Sequence, residues 1–552
     1  MSEGASSTVT ARLYPHPSLP SPWPAEPPLA DWLQDPAPPV IWSLAGHDSG
    51  GGAGLSADTR AAAAFGVHLC PVLAAVTAQN SQGVAAVFPL PADQVRAQLQ
   101  ALAQDLTPRV IKTGLLASVA AVQALCEIID ALRRDQTVLL VIDPVLGATA
   151  GGAAFCDEAL LQAYREQLLP RCDLLTPNRR EAERLLGLPP GSSDSPPALA
   201  AALRELGPRA ICITGGDDSS APAQRELALD WIDVQAPDHQ AQGWLALPRL
   251  PSRHHHGTGC SFASSAAAAL ARGFALADAL VLAKMATWSA LRAGHAAGAG
   301  AGPVRAAPGF IADPSAMPVL SFGAEPLNAG TVERWRHVLE AATKVQPLEM
   351  GLYAITEDPR RLPALAEAGY AQLQLRIKSR PGLSEAALRQ AIAAAVDGLN
   401  SHPHATLWIN DHWQLALQAG ARALHMGQED WSALAADQRQ QILDSGALLG
   451  LSSHSLWELA RARSIAPHYI ACGPVWATVT KDMPWRPQGL DNLAWWVRMA
   501  GRPVVAIGGI TEAERVTATR RAGAASACLV RALDQADAAH WRTAWKAGGA
   551  ET

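Results

Sequence analysis

Hydrophobic positions along the chain fall into short strand-like runs separated by Ala/Leu-rich stretches of helical period. The first series of runs covers residues 40–45, 67–76, 110–116, 138–143, 172–176 and 210–214. Strand–helix alternation of this kind predicts a mostly parallel sheet with helices on both faces. A second series follows at 351–356, 372–377, 406–410, 421–425, 447–452, 469–473, 504–508 and 525–530, each run followed by a helix-compatible segment. Eight such units in about 200 residues predict a compact (β/α)₈ barrel. The pattern therefore divides the chain into a loose Pro- and Ser-rich arm (1–37), a parallel-sheet α/β domain (38–302), an interdomain connection with a helix-like stretch near 332–342 (303–347), and a barrel (348–548).

Charge and composition narrow the partners. The 552 residues carry 44 Lys and Arg against 50 Asp and Glu, a net charge of −6 with no dense basic run, so nucleic acid is not an expected partner. The Ala-rich segment 264–299 is interrupted by Arg272, Asp278, Lys284 and Arg292, which argues against a membrane span. The N-terminus lacks the basic and apolar regions of a secretory signal. Eight cysteines without a CxxC pair fit reduced thiols in a cytoplasmic protein and supply neither a zinc nor a disulfide framework. Small molecules are the expected partners. A homo-oligomer is compatible with the sequence, which leaves that state open.

In the first domain, Arg253-His254-His255-His256-Gly257-Thr258-Gly259-Cys260 opens an Ala-rich helix. Small residues there let backbone N–H groups approach an anion, and the helix dipole favours negative charge. A helix start also tends to lower a thiol pKa, so Cys260 is a candidate base. A plain glycine turn with an inert cysteine is an equally good reading of this segment alone. Gly46-His47-Asp48-Ser49-Gly50-Gly51-Gly52-Ala53-Gly54 directly follows the first strand, where a glycine loop can fold over a small ligand. Asn178 and Glu181 follow another strand and offer oxygens to Mg²⁺ or its waters, or form a helix cap.

Together with Ala57-Asp58, Thr77-Ala78-Gln79-Asn80, Lys112-Thr113-Gly114-Leu115, Asp143-Pro144-Val145, Thr176-Pro177-Asn178 and Thr214-Gly215-Gly216, these segments resemble, in order and spacing, the hydroxymethylpyrimidine/phosphomethylpyrimidine kinases of the ribokinase-like superfamily. The resemblance implies ATP as co-substrate and Mg²⁺ as cofactor. It implies that Gly46, Asp58 and Gln79 contact the aminopyrimidine, that Asn178, Glu181 and Thr214 serve phosphate, ATP and magnesium, and that Gly257, Thr258, Gly259 and Cys260 form an anion hole with Cys260 as base. Thr214-Gly215-Gly216 stands where the family often has Lys-Gly-Gly, and residues 146–151 lack the Lys-Ser-Gly often found there. Both departures remove positive charge near the expected phosphates.

In the second domain, Gln374, Arg376 and Lys378 occupy alternate positions at a strand end, and period two predicts one shared face. Arg and Lys suit a pyrophosphate, and a Gln amide suits a heteroaromatic edge. Asn410-Asp411 ends the third strand and Gly427-Gln428-Glu429-Asp430 follows the fourth. Asp411 and Asp430 are candidate Mg²⁺ ligands, with helix capping as the plainer role of Asp430. Ser452 ends the fifth strand. Thr478, Thr480 and Lys481 lie on the loop after the sixth, and Gly508-Gly509 precedes a helix in the manner of barrel phosphate sites.

This set resembles thiamine phosphate synthase over about 352–545. The resemblance implies that hydroxymethylpyrimidine diphosphate and thiazole phosphate are joined. Pyrophosphate leaves first, aided by Mg²⁺, Arg376 and Lys481, and the thiazole nitrogen captures the resulting cation. Substrate contacts fall to Gln374, Arg376, Lys378, Asn410, Ser452, Thr478, Thr480, Lys481 and Gly509. After the eighth strand the family usually has Val-Ser-Ala-Ile, and this chain has Val530-Arg531-Ala532-Leu533. The two resemblances point to a bifunctional enzyme of thiamine biosynthesis. The alternative is an active synthase whose first domain is a non-catalytic ligand binder or a pyridoxal-kinase-like enzyme.

Overall fold

The computed structural model of the chain describes residues 35, 37–147, 156–192, 194–216, 222–237, 239–341, 349–378, 382–477 and 487–549. The chain divides between Leu339 and Glu340 into two compact units.

The first unit is built on a ten-stranded sheet: β1 (Val40–Asp48), β2 (His68–Asn80), β3 (Gly83–Pro89), β4 (Val110–Thr113), β5 (Leu139–Ile142), β6 (Leu174–Leu175), β7 (Ala210–Ile213), β8 (Leu227–Gln235), β9 (Gln240–Pro248) and β10 (Val319–Leu320). Its order is β10-β9-β8-β7-β6-β5-β4-β1-β2-β3. The six central strands from β7 to β2 run parallel, and the flanking strands are antiparallel. Every residue of β4, β5 and β6 is buried, as a strand covered on both faces requires. The helix Thr258–Ala271 packs on β1, β4 and β5 and aims its first turn at the ends of the parallel strands. This is the ribokinase-like arrangement.

One boundary changes. The expected connection, 303–347, is largely part of the first unit, its last residues, 342–347, lying outside the described residues. Val319 and Leu320 pair with Ala246 and Leu245, and Ser321 bonds both the N–H and the C=O of Trp244. The reason is hydrophobic: residues 316, 317 and 319–322 are buried against the sheet. The helix near 332–342 is Ala329–Ala341.

The second unit is a closed barrel of β11 (Gly351–Thr356), β12 (Gln372–Leu375), β13 (Thr406–Asn410), β14 (Ala423–Met426), β15 (Leu448–Ser453), β16 (Tyr469–Cys472), β17 (Val504–Ala506) and β18 (Ser526–Leu529). All neighbours are parallel, and β11 closes on β18. Tyr353, Trp408 and Tyr469 fill its interior with Ile355, Ala423, Ala471, Val505 and Cys528. Among the described residues no helix is long and apolar enough to cross a membrane.

Candidate functional site

In the first unit, Asp48 at the end of β1 organises the glycine loop. Its carboxylate accepts the backbone N–H groups of Gly50 (2.8 Å), Gly52 (3.0 Å) and Ala53 (2.8 Å). It also meets His256 Nε2 at 3.0 Å, which ties this loop to the start of the helix Thr258–Ala271. Burial raises the Asp48 carboxyl, but the bonds from His256, Ala53 and Gly50 outweigh it and hold it below the ordinary value. Gly257 has φ +84°, and a Cβ there would lie 2.2 Å from the Gly52 carbonyl oxygen, so only glycine lets the two loops meet.

Around this junction lies a cavity of about 520 Å³. It is lined by Gly46, Gln79, Asn178, Glu181, Thr214, Gly257, Thr258, Gly259 and Cys260, which the sequence placed together. Asn178 and Glu181 also form the capping box, each accepting the other's N–H at 2.9 Å, so the cap and the cavity wall are one feature. Lys284 reaches the same wall and pairs with Asp230 at 2.7 Å, while Asp230 accepts the N–H of Gly215.

Two expectations need correction. Asp58 does not line the cavity. It is fully buried and held by Lys112 at 2.9 Å, Ser43 at 2.7 Å and Ser264 at 2.8 Å, because a buried carboxylate needs a countercharge and donors. Nor is the Cys260 thiol lowered. Burial, with the Asp143 and Asp58 carboxylates nearby, pushes it up to about 12 despite Lys112 and the Gly54 N–H. The sequence missed this buried set. Lys112 lies 3.6 Å from Asp143, whose carboxyl is raised chiefly by burial and whose charge bears on Cys260.

In the barrel, a cavity of about 170 Å³ opens at the carboxyl ends of the strands, lined by Gln374, Arg376, Asn410, Asp411, Asp430, Ser452 and Gly509. Asn410 donates to the Asp411 carboxylate. Burial first and the Asp430 carboxylate second push Asp411 up to about 6. A Cβ on Gly427 would lie 2.7 Å from Asp430 Oδ2, so the glycine makes room for that carboxylate. Lys378 is exposed and does not line the cavity: β12 ends at Leu375, and the shared face that the alternation predicted holds for Gln374 and Arg376 but not for Lys378. Thr478, Thr480 and Lys481 lie outside the described residues. His425, His454, Gly508 and Arg531 also line the cavity. Burial, with Arg376 and His454 nearby, lowers His425 to about 3, so its imidazole is neutral.

The sequence matches the phosphomethylpyrimidine kinase family over residues 48–305 and the thiamine monophosphate synthase family over residues 352–533. A probable thiamine biosynthetic bifunctional enzyme, chloroplastic, of Oryza sativa subsp. japonica is 31% identical over 487 residues, covering 86% of this chain and 81% of its own. A thiamine biosynthetic bifunctional enzyme, chloroplastic, of Arabidopsis thaliana is 33% identical over 491 residues, covering 86% and 85%. A hydroxymethylpyrimidine/phosphomethylpyrimidine kinase of Streptomyces coelicolor is 38% identical over 267 residues, covering 48% of this chain and 94% of its own. With a kinase family on one unit and a synthase family on the other, the chain is a two-headed transferase. It belongs to the family of thiamine biosynthetic bifunctional enzymes, in which a phosphomethylpyrimidine kinase is joined to a thiamine phosphate synthase.

Proposed function

We propose that the first unit phosphorylates hydroxymethylpyrimidine or its phosphate with ATP, and that the barrel joins the resulting diphosphate to thiazole phosphate. The observation that carries this division of labour is convergence: residues far apart in sequence line one cavity in each unit. In the first, Gly46 and Gln79 take the aminopyrimidine, and Asn178, Glu181 and Thr214 take the nucleotide phosphates with Mg²⁺. The first turn, Gly257–Cys260, stabilises the transferring phosphoryl group. Cys260 keeps its proton at neutral pH, so the substrate hydroxyl gives its proton to the Cys260–Asp143 pair as it attacks, not to a standing thiolate.

In the barrel, Gln374 takes the pyrimidine, Arg376 the diphosphate, and Gly508 and Gly509 the thiazole phosphate. Thr478, Thr480 and Lys481 are assigned to the departing pyrophosphate. Asp411 and Asp430 fit Mg²⁺: two carboxylates share one cavity, and the raised Asp411 marks a negative excess that a hard dication relieves. Bound there, the ion would neutralise charge on the leaving diphosphate. The eight unpaired cysteines suit a reducing compartment, and we place the enzyme in the cytoplasm.

The test is a coupled assay with Mg-ATP, hydroxymethylpyrimidine phosphate and thiazole phosphate, read as thiochrome fluorescence. Product should disappear in Cys260→Ala and return when the pyrimidine diphosphate is supplied. Product from the diphosphate alone in the unaltered chain would overturn the kinase assignment, and none from either substrate would overturn the synthase assignment.

A further inference from the structure

Below the barrel mouth, five polar side chains form one unbroken hydrogen-bonded line. Gln374 Nε2 lies 3.2 Å from the Tyr353 hydroxyl, which lies 2.9 Å from the Tyr469 hydroxyl. Tyr469 meets His425 Nδ1 at 2.7 Å, and His425 Nε2 meets Ser452 Oγ at 3.1 Å. Tyr353 is on β11 and Tyr469 on β16, so the central bond crosses the barrel interior. The two phenols are 1% exposed, whereas Gln374, His425 and Ser452 reach the cavity. Trp408 packs against both tyrosines, and Gly450 makes room for Tyr469, because a Cβ there would lie 2.3 Å from its ring.

Such a line has only two self-consistent proton orders. A phenol has one proton, a neutral imidazole one N–H, and an amide donates only through nitrogen. Buried groups leave no bond unmade, so choosing one donor chooses all. In one order Gln374 donates to Tyr353, Tyr353 to Tyr469, Tyr469 to His425 Nδ1, and His425 Nε2–H to Ser452. The Gln374 carbonyl then faces the cavity as an acceptor, and the Ser452 hydroxyl proton is free to donate into it. The other order reverses every bond and presents an amide donor and a hydroxyl acceptor.

We infer that the Tyr353–Tyr469 bridge is a positioning device that fixes the first order, presenting an acceptor to the exocyclic amine of the pyrimidine and a donor to a substrate phosphate oxygen. The inference rests on the barrel being the synthase. The chemistry selects the direction: an amine needs an acceptor, a phosphate oxygen needs a donor, and only the first order supplies both.

The test reads the His425 tautomer by ¹⁵N NMR of the histidine-labelled full chain without substrate, the signal being identified by its loss in His425→Asn. The expected result is a proton on Nε2 and a pyridine-type Nδ1. A proton on Nδ1 would overturn the inference and leave the synthase assignment standing, because that assignment is read by product formation. In Tyr353→Phe, KM for the pyrimidine diphosphate should rise about tenfold with little change in kcat, the loss expected for one neutral hydrogen bond. Its preference for the amino substrate over the 4-oxo analogue should shrink by a similar factor. An unchanged preference in this variant, with unchanged KM, would also overturn the inference.

Discussion

Lys112 lies in one of the segments that carry the kinase resemblance, and its part in the fold shows only in three dimensions, where it pairs with Asp58 and Asp143. It is completely buried, and burial alone would lower its ammonium. The carboxylates of Asp58, foremost, and Asp143 outweigh that and raise it. Lys112→Met leaves Asp58 charged and without its cation, so the first unit should lose about 3–5 kcal/mol, read as a fall in its unfolding midpoint. An unchanged midpoint would mean that Ser43 and Ser264 suffice for Asp58. Cys260 gives a pH prediction with a definite sign. Only the thiolate is alkylated, and the thiol sits at about 12. Iodoacetamide labelling of the Cys260 peptide, followed by mass spectrometry, should therefore climb about tenfold per pH unit from 7 to 10 with no plateau. A plateau near neutrality would show the lowered thiol that its helix-start position alone predicts.

Gly257 carries the junction of two loops, and its constraint belongs to the helix Thr258–Ala271 as a whole. Gly257→Ala forces a Cβ into the Gly52 carbonyl and strains a left-handed backbone, so it must shift the helix start. Kinase turnover should fall at least a hundredfold while the synthase keeps its rate with supplied diphosphate. The same elements show what the sequence disclosed. The barrel strands were legible because each is a short, largely apolar run, several of them with polar residues at the carboxyl end, as at Asn410-Asp411. The hairpin β8–β9 was not, because buried charges broke its pattern: Asp230 pairs with Lys284 and Asp233 with Arg204, partners distant in sequence. Lys378 misled for the opposite reason, since its spacing continued a strand that the backbone had already ended. The tyrosine bridge joins strands three places apart around the barrel, and no local spacing encodes that contact.

The two units each carry their own cavity, lined by their own residues. Asp430→Asn should lower thiamine phosphate formation by about a hundredfold, the scale of one lost electrostatic stabiliser, and leave ADP release by the kinase unchanged. A parallel loss of both rates would mean that the units are catalytically coupled. The strand β10 bears on the molecule in another way. The kinase family match ends at residue 305, yet residues 319–323 still bond along β9. A fragment cut at 305 would strip that strand away and leave a raw edge at Gln242–Ala246, open to any extended segment that arrives. Gene-splitting at that point would therefore yield a sticky protein, and the natural seam for separating the two enzymes lies beyond residue 323.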